Sequence, residues 1–293
     1  MPELPEVETI RRQLDKVLVG SRITQVEVLG NKTFEGDSKL MLDKLILGIE
    51  RRGKALVIKI GEKDVEWGIL IHLKMTGQLI YEKKNSKGKF EERVVGGHPT
   101  KDFVSSLPSS HTRVMWKFED GSVLYFNDQR LFGWVKLVKW EDVEREKFIL
   151  RLGKEPWEMS KEEFRNILNS TKSIKVRLMD QDKIAGIGNI YANDALWEAR
   201  IDPRRSAKLL NEKEAKCLLE RVVKVLDEGI KYGGATAMDG KFVNLDGLGG
   251  TYQDHFRVYQ REGEECLREN CDGVVEKTMI GGRGTFYCPV CQK

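Results

Sequence analysis

Residues 266–291 read CLRENCDGVVEKTMIGGRGTFYCPVC. Four of the chain's five cysteines fall in this stretch, as Cys266-x4-Cys271 and Cys288-x2-Cys291, with 16 residues between the pairs. That spacing is the pattern of a four-cysteine zinc site. Four thiolates complete a tetrahedral shell and leave no position for a reactive water, so the expected cofactor is one structural zinc ion per chain. A hairpin this short cannot bury enough apolar surface alone, and the metal supplies the missing folding energy. Within it GGRGTFYC puts Arg283 on a glycine-flanked turn, where it could reach a phosphate or stay a solvated charge. Cys217 lies apart on an apolar helix face and is expected to be a small buried hydrophobe. Cysteines confined to one end do not form a disulfide framework, and a reducing cytoplasm is the expected location.

Upstream of the cysteines the pattern is helical. Ser160 and Glu163 form an S-x-x-E capping box before FRNIL, and Asn211 is placed to cap EKEAKCLLERVVKVLDEGIKY, which Gly233–Gly234 would end. Between them a glycine-rich turn, Ala185–Gly188, separates two short helices. GGATAMDGKFVNLDGLGGTYQ (233–253) reads as a flexible loop, and HFRVYQR (255–261) as a β segment.

Before about Trp140 the pattern is β. RITQVEVL, KALVIKI, VEWGILIHLKM, TRVMWKF, SVLYF and FGWVKLV are short, β-branched or aromatic, and separated by turn residues. No helix alternates with them, so an antiparallel sandwich fits better than βαβ units. One helix, expected over about Pro5–Val19, leads them, with Val7, Ile10, Leu14, Val17 and Leu18 on one face. The polar segment 83–110 is expected to be a long surface loop.

A chain of 293 residues is long enough for two cores. Lys and Arg exceed Asp and Glu by 50 to 46, a net +4 too small to show a nucleic-acid partner by itself. No apolar run approaches the roughly 20 residues needed to span a bilayer, and no secretory leader is expected.

In order along the chain, PELPEVET, RRGKAL, HLKMTG, DQRLFG, GIGNIYANDALW and the ending GRGTFYCPVCQK resemble the motifs of formamidopyrimidine-DNA glycosylases, bacterial enzymes that excise oxidised purines. The resemblance spans essentially the whole chain. It implies an α+β multidomain protein: an N-terminal helix plus antiparallel β-sandwich (1–139), a linker (140–158), a helix-two-turn-helix DNA-binding domain with a flexible loop (159–254), and a C-terminal zinc ribbon (255–293). DNA would lie in the cleft between the domains. The implied partner is double-stranded DNA containing oxidised bases or abasic sites, bound by a monomer near the nucleoid, without a membrane.

The same resemblance assigns roles. Pro2, exposed when Met1 is removed, would be the nucleophile; Glu3 its acid–base partner; Lys54 an active-site lysine; and Glu6 a supporting carboxylate. A chain-terminal amine titrates near pH 8 against about 10.4 for lysine, so more of it is uncharged at neutral pH. Met75, Arg130 and Phe132 would fill the space left by the everted base; read alone, Met75 and Phe132 would be core residues. His72, Asn189, Tyr259, Lys277 and Arg283 would hold phosphates. The chain departs from the family pattern at Gln129 and Leu131, which puts opposite-base preference in question, and in the length of 83–110. Two other readings stay open: an endonuclease VIII-like glycosylase for oxidised pyrimidines, and a non-enzymatic zinc-ribbon DNA-binding protein.

Overall fold

A computed structural model describes residues 1–30, 32–62, 64–98, 100–235 and 250–293. The chain forms two units, Met1–Leu150 with Gly233–Gly250, and Arg151–Tyr232 with Thr251–Lys293. The boundary after Leu150 falls inside the segment 140–158.

The first unit begins with α1 (Leu4–Leu18), whose first turn contains Pro5 and whose apolar face buries Val7, Ile10, Leu14 and Leu18. Among the described residues ten strands follow: β1 (Ile23–Val28), β2 (Phe34–Glu35), β3 (Leu45–Arg52), β4 (Ala55–Glu62), β5 (Val65–His72), β6 (Gly77–Lys84), β7 (Phe90–Gly97), β8 (Thr112–Phe118), β9 (Val123–Asp128) and β10 (Trp134–Lys139). They make two five-stranded sheets, in the orders β1-β8-β9-β6-β7 and β2-β10-β5-β4-β3. Among the described residues every pairing in these two sheets is antiparallel except β2 with β10. Side chains from both sheets and α1 interdigitate in one core, including Ile23, Ile58, Ile71, Tyr81, Trp116 and Phe126.

Segment 83–110 is not the loop expected from its polarity. Its middle is β7, an edge strand whose Phe90, Glu91 and Glu92 are exposed while Val94 and Gly96 are buried. Helix α1 packs along β7 so closely that a Cβ on Gly96 would lie 2.3 Å from Ile10 Cγ1. The strand therefore helps carry the helix on which the N-terminus is mounted.

Two crossings between the sheets set the geometry of one end. The chain passes from β5 to β6 through residues 73–76 and returns from β9 to β10 through 129–133. His72 pairs with Trp134 in one sheet, and Gly77 pairs with Asp128 in the other, so the crossings emerge side by side. Lys54, just before β4, lies at the same end because Ala55 also pairs with His72. After β10, α2 (Lys147–Leu150) brings Ile149 and Phe148 against Val57, Leu70 and Val138.

The second unit holds α3 (Lys161–Leu168), α4 (Ile174–Leu178), α5 (Asn189–Glu198), α6 (Glu212–Lys231) and the hairpin β11 (Glu276–Ile280) with β12 (Arg283–Tyr287). Ser160 and Asn211 cap α3 and α6, each closing a capping box with the glutamate three residues on. Tyr191 through Trp197 of α5 are buried, so this helix is enclosed on every side. Residues 256–261, expected as a strand, instead leave a 3-10 turn at Tyr252–His255 and take no strand pairing. Cys217 is half-buried rather than enclosed. Most of the stretch read as a flexible loop, residues 236–249, lies outside the described residues. Among the described residues no helix is long and apolar enough to cross a membrane.

Candidate active site and nucleic-acid interface

Helix α1 runs antiparallel to β3. The Ile49 N–H donates to Asp15 Oδ1 at 3.2 Å, Arg11 Nη1 donates to the Ile49 carbonyl at 3.3 Å, and Arg51 Nε donates to Glu8 Oε2 at 3.1 Å. Continuing that register carries the start of the helix to the Gly53–Lys54 turn. Pro2 and Glu3, just before the helix, and Lys54 are each buried. Glu6 sits one turn into the helix with both carboxylate oxygens engaged. Its Oε2 accepts from the Glu3 N–H at 2.8 Å, and its Oε1 from the Ala235 N–H at 2.7 Å. It therefore ties the N-terminus to the residues that precede 236–249.

His72 closes β5 at the same end, packed against Trp134 and Phe148 with ring centroids 5.7 and 5.2 Å away. Burial first, then the charges of Lys74 and Lys54, lower its pKa to about 3, so the ring is neutral. The Lys74 N–H donates to Nδ1 at 3.0 Å, which leaves the ring proton on Nε2 as a donor. A neutral donor next to two lysines suits a phosphate without adding a proton that could be lost.

The crossings carry exposed apolar side chains. Met75 is 42 % exposed, Leu131 48 % and Phe132 54 %. Met75 and Phe132 are thus not core residues, the outcome that their composition alone favoured. Arg130 is exposed too, its guanidinium 4.9 Å from the Phe132 ring centroid. Apolar side chains held out at the tips of short turns are shaped to enter a stack of bases.

In the second unit the cysteines converge. Cys266 Sγ lies 3.8 Å from Cys291 Sγ, Cys271 Sγ lies 3.6 Å from Cys288 Sγ, and all four sulfurs fall within 4.8 Å of one another. Tetrahedral zinc with bonds of about 2.3 Å needs sulfurs about 3.8 Å apart, so the donor set fits that ion. Trp197 of α5 donates its indole N–H to Cys266 Sγ at 3.3 Å and shares a small core with Val258, Val275 and Phe286.

Helix α5 also positions the polar residues. Asn189, its first residue, donates from Nδ2 to the Gly284 carbonyl at 3.1 Å, and Asn193 Oδ1 accepts from the Phe286 N–H at 3.0 Å. Lys175, buried in α4, donates to the Gly284 carbonyl and to Thr285 Oγ1. Arg283 is thereby held exposed at the turn, where Gly281 and Gly282 take positive φ that only glycine adopts freely. Asp194 accepts the N–H groups of Arg257, Val258 and Tyr259. Burial pushes its pKa up to about 6 despite these bonds. They fix Tyr259, whose ring packs edge-on against Phe286. Lys277, exposed on β11, pairs with Glu262 at 3.4 Å.

The sequence reading named no role for Thr76, Lys175, Asn193, Asp194, Trp197 or Asp128, which do the holding. Their signal was a polar residue at the buried end of a strand or inside an enclosed helix.

A helix-led sandwich with wedge-like tips, joined to a helical unit and a metal-held hairpin, defines a zinc-ribbon protein built to handle nucleic acid. Three family models cover it: the formamidopyrimidine-DNA glycosylase N-terminal domain matches residues 1–135, the H2TH domain of the same family 152–240, and the zinc finger found in FPG and IleRS 263–293. The chain belongs to the formamidopyrimidine-DNA glycosylase family. A relative of that name from Pelotomaculum thermopropionicum is 39 % identical over 100 % of this chain and 99 % of its own. Among solved structures, a Lactococcus lactis Fpg variant bound to DNA containing Fapy-dG superposes with TM-score 0.83 at 31 % identity, covering 100 % of both chains. Wild-type Lactococcus lactis Fpg with DNA containing an oxidised pyrimidine gives 0.82 at 32 %, again over 100 % of both.

Proposed function

We propose that this chain is a bifunctional DNA glycosylase and AP lyase of base-excision repair, which removes oxidised purines from duplex DNA and then cleaves the strand. The observation that supports the reading is that Lys54, His72 and the exposed tips Met75 and Arg130–Phe132 share one end of the sandwich, and that the antiparallel run of α1 along β3 points the buried Pro2–Glu3 terminus toward that end. With Met1 removed, the Pro2 nitrogen attacks C1′ of the damaged nucleotide; the C–N bond to the base breaks, and the base leaves with a proton. Glu3 protonates the opening sugar oxygen. The resulting iminium withdraws electrons, so the C2′ proton is lost and the 3′ phosphate departs, followed by the 5′ phosphate. Proton transfer of this kind is worth about 10²–10⁴-fold.

Lys54 and His72 hold phosphate beside the reacting sugar. Met75, Arg130 and Phe132 occupy the vacated stack and offset the few kcal/mol that eversion costs. Asn189, Tyr259, Lys277 and Arg283 grip the backbone without reading sequence. The zinc ion, held by Cys266, Cys271, Cys288 and Cys291, supplies fold to the hairpin and no chemistry. The chain acts as a monomer in the cytoplasm, on nucleoid DNA.

Borohydride reduction during turnover on an 8-oxoguanine duplex tests this directly. The expected product is a covalent adduct whose peptide map places the DNA on the N-terminal peptide beginning at Pro2. An adduct on a lysine peptide, or none, would overturn the mechanism. Running thymine glycol in the same duplex decides the branch: a clear preference for it would assign the enzyme to oxidised pyrimidines.

A further inference from the structure

We propose that Asp128, acting with Thr76, is a positioning residue that locks the two exposed tips into one wedge. This rests on the reading that Met75, Arg130 and Phe132 enter the duplex.

Asp128 is fully buried and Thr76 is 6 % exposed, although each lies within four residues of a solvent-exposed tip. The Thr76 hydroxyl donates to Asp128 Oδ1. The Arg130 N–H donates to Thr76 Oγ1 at 3.1 Å and to Asp128 Oδ1 at 3.3 Å, and the Gly133 N–H donates to Asp128 Oδ2 at 2.6 Å. One carboxylate therefore holds both edges of the returning crossing, and one hydroxyl ties it to the outgoing crossing. Arg113 Nε donates to the Asp128 carbonyl at 2.9 Å, which fixes the strand end itself. Space is as tight as the bonding: a Cβ on Gly133 would lie 3.1 Å from Asp128 Oδ2 and 2.9 Å from the Phe126 ring.

The tips need such a lock. Lys74 (φ 51°) and Leu131 (φ 58°), one in each crossing, adopt the left-handed conformation that side chains with a Cβ disfavour. Released from the clamp, both turns would relax toward ordinary backbone and part the side chains they present. Buried charge-assisted bonds are strong and leave little choice of partner. Asparagine could not replace Asp128 silently, because its amide would turn a donor toward either the Arg130 N–H or the Gly133 N–H.

The test uses zinc-loaded full-length Thr76→Val, Thr76→Ser and Asp128→Asn on one duplex carrying either 8-oxoguanine or a preformed abasic site. An abasic site lacks the base that must be pushed out, so strand cleavage there depends less on the wedge. For Thr76→Val and Asp128→Asn, excision of 8-oxoguanine is expected to fall about 10- to 100-fold, the scale of a lost buried hydrogen bond. Abasic cleavage should stay within about threefold, and Thr76→Ser should restore both. Hydrogen exchange is read in parallel, with faster exchange of the Arg130 and Gly133 amides expected in Thr76→Val. Equal losses on the two substrates, no loss on either, or unchanged exchange at Arg130 overturns the clamp. If the wild-type chain cuts neither substrate, the functional reading falls, and exchange alone judges the clamp.

Discussion

The sandwich tip and the cysteine hairpin both present side chains to the same kind of partner, yet they are held by opposite means. At the tip, Met75 and Arg130–Phe132 stand on two sheets and a helix whose shared core includes Leu14, Ile58, Tyr81 and Trp116. The hairpin rests on six buried residues, of which Cys266 and Cys288 are themselves metal ligands. A large apolar core can tolerate strained turns at its edge, and there the proposed mechanism puts the reactive groups. A small core cannot, so the hairpin takes its rigidity from the ion and uses relaxed glycine turns to offer Arg283. On the proposed function, chemistry belongs to the first region and grip to the second.

The sharpest way to break that division is to block the Pro2 nitrogen, by acetylation or by retention of Met1. Turnover and borohydride trapping should vanish, while duplex affinity and thermal stability stay as they were. Loss of affinity to the same degree would mean that the terminus serves grip as well. Next in size is Cys288→Ser. Structural zinc contributes on the order of 10 kcal/mol to folding in small ribbons, so the hairpin should lose its exchange protection and DNA affinity should fall more than about 100-fold. Amides of the sandwich should remain protected; if they open too, the two regions do not fold independently.

A smaller effect sharpens the first region alone. Burial would raise the pKa of Glu8, but hydrogen bonds from Arg11, Arg12 and Arg51 lower it to about 2 from 4.5. A carboxylate depressed in this way stabilises the fold above its unfolded pKa, and that stabilisation disappears as pH falls from about 4.5 toward 2. Glu8→Gln should therefore cost about 2–3 kcal/mol at pH 7 and close to nothing at pH 2, by urea titration at each pH. His72 has the same sign: neutral in the fold, it withdraws support as pH drops below about 6.5. The smallest change lies in the second region. Lys277→Ala should reduce the salt slope of DNA binding by about 1, and Glu262→Gln, which frees Lys277 from its exposed partner, should raise affinity slightly.

How much of this was readable in advance follows the range of each interaction. Zinc ligation depends on four residues at short spacing, and the caps of α3 and α6 on four consecutive positions, so both could be read locally. Strand β7 could not: FEERVVGG carries its charges on an edge, and although its backbone pairs with β6, its buried side is closed by Ile10 of α1, more than 80 residues away. HFRVYQR failed for a related cause. Its alternation suits a strand, but the backbone donors of Arg257, Val258 and Tyr259 are taken by Asp194. Among site residues the motifs marked what is exposed, and the buried holders such as Asp128 emerged only from the pairing of Gly77 with Asp128.

The hairpin of β6 and β7 has one more consequence. Its turn, where Asn85 Oδ1 accepts the N–H groups of Lys87 and Lys89 and Gly88 takes φ 73°, closes at the far end of the strand that begins at Gly77. Eight residues of extended chain put about 25 Å between that turn and the tips. The molecule thus carries a handle: a dye, tether or affinity tag joined at Lys87 would report on or hold the enzyme without entering the region of the exposed tips.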